Sequence, residues 1–281
     1  MPIFRNTIGK STRERLRHTD RVFERIAQTI LITYALFVFS AWLSYHKEFQ
    51  ISEIKIEGAR AVDPGAVRGV VESELDRHLL WKINRNNSLL YPKRAMERGI
   101  RAFDTRVKTV DIVVEKEKLL TVRLSEYSPA FLWCPPDGAS ATTTLTSGCY
   151  FADGVGHIFA PAPGYSGNPF LIFVTATFEG NKNPTLGDSS ILRNEEFIKV
   201  NTFLDKLIQL GLFPRIVRQS GENDFTILTD QPWEIRWSSA RDPEEDALNL
   251  SLVLQNLHGD HASVDTLKAI DLRFGNKVFY R

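Results

Sequence analysis

Twenty consecutive residues near the start of the chain, IAQTILITYALFVFSAWLSY from Ile26 to Tyr45, contain no charge, no proline and no glycine. At about 1.5 Å of rise per residue, a helix of this length covers roughly 30 Å, the thickness of a bilayer's hydrocarbon core. A buried soluble helix is the alternative, but a soluble helix this long normally has a charged or polar stripe. The sequence therefore predicts one transmembrane helix over residues 26–46.

Positive charge precedes this run, although the whole chain has a net charge of only +1. Basic side chains are retained on the cytoplasmic side of a span, so residues 1–25 are predicted to be a basic cytoplasmic leader. A cleaved signal peptide is the rival interpretation, but it would have a shorter apolar core and small residues at its end. Here Trp42, Leu43 and Tyr45 are bulky. We therefore expect an uncleaved anchor in the cytoplasmic (inner) membrane, with the rest of the chain outside the cytoplasm.

An extracytoplasmic location permits the two cysteines, Cys134 and Cys149, to form a disulfide. They flank a polar loop of 14 residues between two short strand-like runs. Two buried free thiols are the alternative. A metal site or a catalytic thiol is disfavoured, because no histidine stands at ligand spacing from either cysteine.

Residues 49–127 contain a predicted β-α-α-β-β unit. The first strand alternates Ile54 and Ile56 with charged residues. A helix capped by Asp63 follows, and a second helix begins at Pro92. In that second helix Ala95, Met96, Ile100 and Phe103 are predicted to point inward. Two strands joined by the short link EKEK then form an antiparallel hairpin, beside which the first strand must pair.

Residues 128–281 have the pattern of a mixed α/β domain with a mainly antiparallel sheet. Short strand-like runs precede and follow a helix over RNEEFIKVNTFLDKLIQL. A second helix, capped by Asp242 with Glu245 at the capping-box position, comes before the last strand region. The fold class predicted for the whole chain is therefore α+β: one transmembrane helix, a β-α-α-β-β domain and a domain of one sheet with two packed helices.

We find no sequence pattern for catalysis, a metal or a cofactor. His258, Asp260 and His261 lie close together, but Gly259 places them in a turn rather than on one helical face. His157 has no nucleophile nearby, and no GxSxG elbow or dinucleotide-binding glycine motif occurs. We therefore expect a protein that is not an enzyme and binds neither cofactor nor small-molecule substrate.

A basic run, PKRAMERGIRAFDTRVK, lies within the β-α-α-β-β unit. Nucleic acid would be considered as its partner in the cytoplasm, but outside the membrane that partner is not expected. A solvated face, lipid head groups or an acidic protein remain open as explanations.

The order of these parts resembles the FtsQ/DivIB family of bacterial cell-division proteins. Three stretches carry the likeness: IKIEGARAVDPGAV, which is similar to the start of a POTRA domain; SPAFLWC…CYFADGVGHIF, at the entry to the second domain; and the terminal AIDLRFGNKVFYR. The resemblance covers about residues 20–281. The loop between the cysteines is not a general feature of the family, and the leader is short.

This resemblance implies a non-enzymatic scaffold of the divisome. The POTRA domain would occupy residues 49–127 and the β domain residues 128–281. The scaffold would act at the division septum and link FtsB/DivIC-like and FtsL-like partners to septal cell-wall synthesis. FtsB-type partners are held by strand addition at the edge of the β domain. On the matching positions, the implied contacts are Asp271, Arg273, Phe274, Gly275, Asn276 and Lys277.

The terminal stretch also has the alternation of a half-buried strand, with Ile270, Leu272 and Phe274 on one side. We predict one continuous strand over residues 269–281. The alternative is a hairpin with a Gly275-Asn276 turn, in which Phe274 pairs with Lys277 and the exposed edge moves to residues 278–281.

Two other functions remain open for the chain. One is a membrane-anchored extracytoplasmic enzyme or its regulator. The other is a POTRA-bearing assembly or transport protein, although such proteins usually contain several of these modules or a membrane barrel.

Overall fold

The computed structural model describes residues 8–79, 83–115, 118–136, 148–164, 169–176, 184–259, 267–275 and 277–281. It has the predicted α+β class. The chain forms two compact units. Unit 1 comprises Met1–Phe103 and Thr109–Leu124, and unit 2 comprises Asp104–Lys108 and Ser125–Arg281.

The first element is a long helix, α1, which covers Ile8–Ser44. Its segment Phe23–Trp42 is long and apolar enough to cross a membrane, and none of it is buried inside the protein. The prediction that this apolar run is helical is thus confirmed. Its insertion into a membrane and the direction of its crossing stay predictions.

Unit 1 continues with short strands and two helices. In chain order they are β1 (Glu53–Glu57), α2 (Pro64–Leu75), β2 (His78–Leu79), β3 (Ile83–Asn84), α3 (Lys93–Phe103), β4 (Val107–Val114) and β5 (Leu119–Glu126). The three longer strands form a sheet in the order β1-β5-β4, and β1 is parallel to β5. The sequence pattern did not predict the small antiparallel hairpin of β2 and β3.

Helix α2 begins as its sequence indicates. The Asp63 carboxylate accepts hydrogen bonds from the backbone N–H groups of Gly65 and Ala66, and Pro64 occupies the first turn, where no N–H is needed. Helix α3 buries Met96 and Ile100. The prediction that Phe103 points inward is wrong, because this last residue of α3 is 50% exposed.

Unit 2 contains one nine-stranded sheet and two helices. Its elements are β6 (Phe131–Cys134), β7 (Tyr150–Ala152), β8 (Ile158–Pro161), β9 (Leu171–Val174), α4 (Asn194–Gln209), β10 (Ile216–Gln219), β11 (Asp224–Leu228), β12 (Glu234–Ser238), α5 (Pro243–Gly259), β13 (Ala269–Phe274) and β14 (Lys277–Tyr280). The strand order is β14-β13-β12-β11-β10-β9-β6-β7-β8.

Most neighbouring strands of this sheet are antiparallel, as predicted. Each helix crosses between adjacent parallel strands, α4 from β9 to β10 and α5 from β12 to β13. Both helices contribute to the main core, in which the Phe203 ring of α4 stacks on Trp237 of β12 at 4.5 Å. The predicted arrangement of a mainly antiparallel sheet with two packed helices is confirmed.

The end of the chain differs from the main prediction. Strands β13 and β14 pair antiparallel, with Phe274 opposite Lys277, so the prediction of one continuous strand over residues 269–281 is wrong and the hairpin alternative holds. The reason lies at Gly275, which has a φ of +70°. Glycine adopts this left-handed conformation without a steric penalty, and it reverses the chain between two strands. Asn276 lies outside the described residues.

Cys134 and Cys149 form a disulfide, as predicted. Cys134 ends β6 and Cys149 immediately precedes β7, so the bond joins two antiparallel neighbours in the sheet. Both residues are buried, with 1% and 7% of their surface exposed. Residues 137–147 of the intervening loop lie outside the described residues.

Removal of this disulfide is expected to lower the free energy of unfolding of unit 2 by about 3 kcal/mol, because an open loop of this length gains chain entropy in the unfolded state. The measurement is urea unfolding of the detergent-solubilised chain, with Cys134→Ala and Cys149→Ala together. Dithiothreitol should destabilise the wild-type chain by a similar amount and leave the double variant unchanged. Equal stability of the reduced and oxidised wild type would contradict the prediction.

Candidate functional site

Strand β14 lies at one end of the nine-stranded sheet. Ala269 and Arg281 donate backbone N–H groups to each other's carbonyl oxygens, at 3.3 Å and 3.2 Å. In an antiparallel pair the residues beside such a bonded pair direct their backbone groups to the other side. The N–H and C=O groups of Val278 and Tyr280 therefore point away from β13. Within the described ranges, no other strand pairs with β14.

Exposed aromatic side chains accompany this backbone edge. Phe274, Phe279 and Tyr280 are each between 54% and 58% exposed. The Phe274 and Phe279 rings are 5.3 Å apart in an edge-to-face arrangement across the hairpin. We call these three residues the edge aromatics. Adjacent exposed apolar groups of this size are typical of an interaction surface.

The opposite end of the sheet is covered by the protein itself. Ile158 of β8 donates its N–H to the Ser189 carbonyl oxygen at 2.9 Å and accepts from the Gly187 N–H at 3.1 Å. The Thr105 hydroxyl donates to the carbonyl oxygen of Phe159 at 2.5 Å. These bonds occupy both backbone groups of Ile158 and the carbonyl oxygen of Phe159 in β8. Of the two sheet ends, β14 therefore offers the available edge in the described part of unit 2.

Charged groups hold the turn end of the hairpin against the sheet. Arg273 donates to both carboxylate oxygens of Asp271, at 2.9 Å and 2.7 Å, and to Asp224 of β11 at 2.9 Å. Its guanidinium carbon also lies 5.6 Å from the centre of the Phe274 ring. Arg273 thus links β13 to β11 along one face of the sheet and positions an edge aromatic.

This network shifts two pKa values. Hydrogen bonds to Asp271, supported by Asp224, raise the pKa of Arg273 above its ordinary value. Partial burial tends to raise the pKa of Asp271, but hydrogen bonds from the side chain and backbone N–H of Arg273 outweigh it, and the pKa is lowered. Both groups are therefore charged near neutral pH.

Acid is expected to weaken the hairpin through Asp271. Because its folded pKa lies below the ordinary value of 3.8, this carboxylate contributes stability that is complete above that value and is lost as the pH falls through the folded pKa. At pH 7, Asp271→Asn should reduce the protection of β13 and β14 amides by about 1–2 kcal/mol. Hydrogen exchange at several pH values measures this. A difference between variant and wild type that does not shrink in acid would refute the linkage.

The structure brings most of the expected contact residues together in the hairpin. Asp271, Arg273 and Phe274 lie on β13, Gly275 is in the turn and Lys277 begins β14. Asn276 is outside the described residues. Their role in binding a partner stays a prediction. Val278 and Tyr280 are not among the contact residues that the resemblance implied, but they lie in residues 278–281, where the hairpin alternative places the exposed edge.

Among the described residues, no group of three or more His, Cys, Asp or Glu side chains is arranged to hold a metal ion. Asp260 and His261, which were considered as ligands with His258, fall outside that part of the chain. His157 lies in unit 2 with its ring 4.7 Å from that of Tyr127.

No protein-family model matches the chain. No curated protein matches it significantly.

Proposed function

We propose that this protein is a single-span membrane scaffold of bacterial cell division, of the FtsQ/DivIB type, that binds a partner strand along β14. The observation that carries the proposal is the edge itself. Val278 and Tyr280 direct backbone groups outward, next to the exposed edge aromatics, at the end of the sheet where no further strand pairs among the described residues. Such an edge is a template for an added strand, and proteins normally protect it unless they use it.

In this function, a strand of an FtsB/DivIC-like protein exchanges hydrogen bonds with Val278 and Tyr280. The edge aromatics supply the buried contact area, since aromatic side chains dominate binding energy at such interfaces. Lys277 and Arg281 flank the edge and favour a partner with acidic residues beside its strand. Arg273 acts as a positioning residue, because its guanidinium is already held by Asp271 and Asp224.

The remaining parts of the proposal concern the membrane and unit 1. Helix α1 anchors the chain in the cytoplasmic membrane with its N-terminus in the cytoplasm, and both units stand outside. Unit 1 is a POTRA-type domain. This is supported by its two helices and by a sheet in which the first strand lies parallel to the last. An FtsL-like protein joins the complex, which acts at the division septum.

A proline at Val278 tests strand addition. Proline removes one outward N–H and is tolerated on a sheet edge, so the hairpin should persist. Binding of the full detergent-solubilised chain to the FtsB/DivIC-like protein should weaken by about tenfold to thirtyfold, the loss expected for a hydrogen bond and blocked pairing. Val278→Ala is the matched control and should bind nearly as well as wild type. Isothermal titration calorimetry gives both affinities.

Hydrogen exchange of β13 must remain unchanged in the proline variant, to show that the fold is intact. Wild-type affinity in such a folded variant would rule out strand addition at β14. Imaging of a fluorescent fusion tests the cellular role: we expect a band at midcell in dividing cells. A uniform membrane signal would argue for one of the other membrane-anchored functions.

A further inference from the structure

A hydrogen bond joins a loop of unit 1 to the segment that follows the apolar helix. The Ser88 N–H donates to the carbonyl oxygen of Phe49 at 2.7 Å, and Phe49 follows the last residue of α1, Ser44, by only five positions. Strand β3, which precedes this loop, is itself in contact with α1. At about 3.3 Å per residue, even an extended connection would keep Phe49 within roughly 17 Å of the helix end. The loop is therefore held close to the place where α1 leaves a membrane.

Two leucines of this loop are exposed. Leu89 has 60% and Leu90 has 42% of its surface accessible. Leucine side chains exposed to water gain no free energy from burial. At the boundary between head groups and acyl chains they would bury apolar area. They directly follow Ser88, whose N–H bonds Phe49 in the segment after α1.

Helix α3 follows the loop and presents an arginine face. Arg94, Arg98 and Arg101 recur at intervals of four and three residues, on the side opposite the buried Met96 and Ile100. Among the described residues, no carboxylate lies within 4.0 Å of these three guanidinium groups. Guanidinium groups bind phosphate oxygens in a bidentate geometry, so this face is suited to phosphate.

The neighbouring lysine shows the contrast. Lys93 pairs with Asp111 at 3.0 Å and with Glu97 at 3.9 Å, and these partners raise its pKa. Asp111 and Glu97 thus pair with Lys93 rather than with the three arginines. The arginine charges are therefore available to a separate molecule.

We propose that Leu89, Leu90 and the arginine face of α3 form a second membrane contact, which binds the head groups of anionic phospholipids. This inference rests on the proposed anchoring by α1, which holds the site near the bilayer and so raises the local concentration of lipid around it. The leucines enter the interface and the arginines pair with phosphates. At an anionic surface, each arginine is expected to raise the ratio of membrane-bound to free site by about fivefold.

The test uses an environment-sensitive fluorophore on Leu89→Cys in the full chain. The native cysteines are bonded to each other and buried, so the new thiol is labelled selectively. The labelled protein is placed in nanodiscs of phosphatidylcholine, or of equal parts phosphatidylcholine and phosphatidylglycerol. Quenching by nitroxide lipids reports contact with the bilayer. Leu248→Cys, with a native exposure of 61%, is the matched control on unit 2.

We expect quenching at position 89 in the anionic nanodiscs, less in phosphatidylcholine alone, and none at position 248. Replacing Arg94, Arg98 and Arg101 together with glutamine should lower the bound-to-free ratio by about fivefold for each arginine. Equal quenching in both lipids, or none in either, would overturn the inference; the second result would direct the search to an acidic protein. Persistence of quenching in the triple variant would also overturn it.

A probe on Leu36→Cys, within the apolar segment of α1, separates this inference from the anchor. It should be quenched in both kinds of nanodisc. Quenching at position 36 with none at position 89 refutes the second contact alone. Absence of quenching at position 36 shows that the anchoring is wrong, and the second contact is then wrong with it.

Discussion

Replacing Asp246 with alanine is expected to lower the free energy of unfolding of unit 2 by about 3–5 kcal/mol. The Asp246 side chain is 1% exposed and accepts hydrogen bonds from Trp237 Nε1 at 3.0 Å and from Arg241 Nη2 at 2.8 Å. Alanine would leave the indole N–H and the guanidinium without this partner in a buried environment. Loss of a buried acceptor costs more than the bond itself contributes, because the remaining groups stay desolvated.

Urea unfolding of the full chain in detergent, followed by tryptophan fluorescence, measures this change. Asp246→Asn is the matched control, because it keeps the shape and one carbonyl acceptor while it removes the charge. We expect a loss intermediate between wild type and alanine. If alanine and asparagine are equally and only slightly destabilising, the network is not a major source of stability.

Gly58→Ala is expected to destabilise unit 1 by about 2–5 kcal/mol, the sum of backbone strain and steric overlap. Gly58 follows β1 with a φ of +85°, a conformation that disfavours any residue with a Cβ atom. A Cβ at this position would also overlap the backbone carbonyl oxygen of Leu124 in β5. The obstacle is main chain, so a side-chain rotation cannot relieve it.

Hydrogen exchange with peptide resolution measures this effect separately in each unit. The control is Gly69→Ala in α2, where a new Cβ has no atom within 4 Å. That substitution should stabilise the helix by up to about 1 kcal/mol. The two glycines are thus expected to respond with opposite sign. Unchanged protection of β1 and β5 in Gly58→Ala would show that the close approach does not constrain the sheet.

Local chemistry predicted the features that depend on neighbouring residues. The caps at Asp63 and Asp242 are found, each accepting from two backbone N–H groups of the following helix. The disulfide was predicted from the length of the loop and from the expected extracytoplasmic location, and it is found. These inferences succeed because the groups involved are close in sequence, within three residues for the caps and 15 residues apart for the disulfide.

Features that depend on pairing between distant segments could not be predicted from the sequence pattern. The pairing of β6 with β9 joins strands separated by more than 30 residues, and no local pattern specifies it. The same limit explains Arg273. Its partner Asp224 lies 49 positions away, so the sequence did not predict this contact within the sheet, and the role of Arg273 in binding a partner stays a prediction. At Gly275, the alternation of apolar residues predicted a continuous strand, whereas the Gly-Asn dipeptide indicated a turn. The structure has the turn.

The strand order of unit 2 has a consequence for synthesis. From β9 onward, each strand lies directly beside the one that precedes it in the chain, through β10, β11, β12 and β13 to β14. The sheet can therefore grow in one direction as the polypeptide emerges, with each newly formed edge serving as the template for the next strand. If synthesis stopped within this region, the sheet would lack strands only at its β14 end, and the strands already formed would remain adjacent to one another.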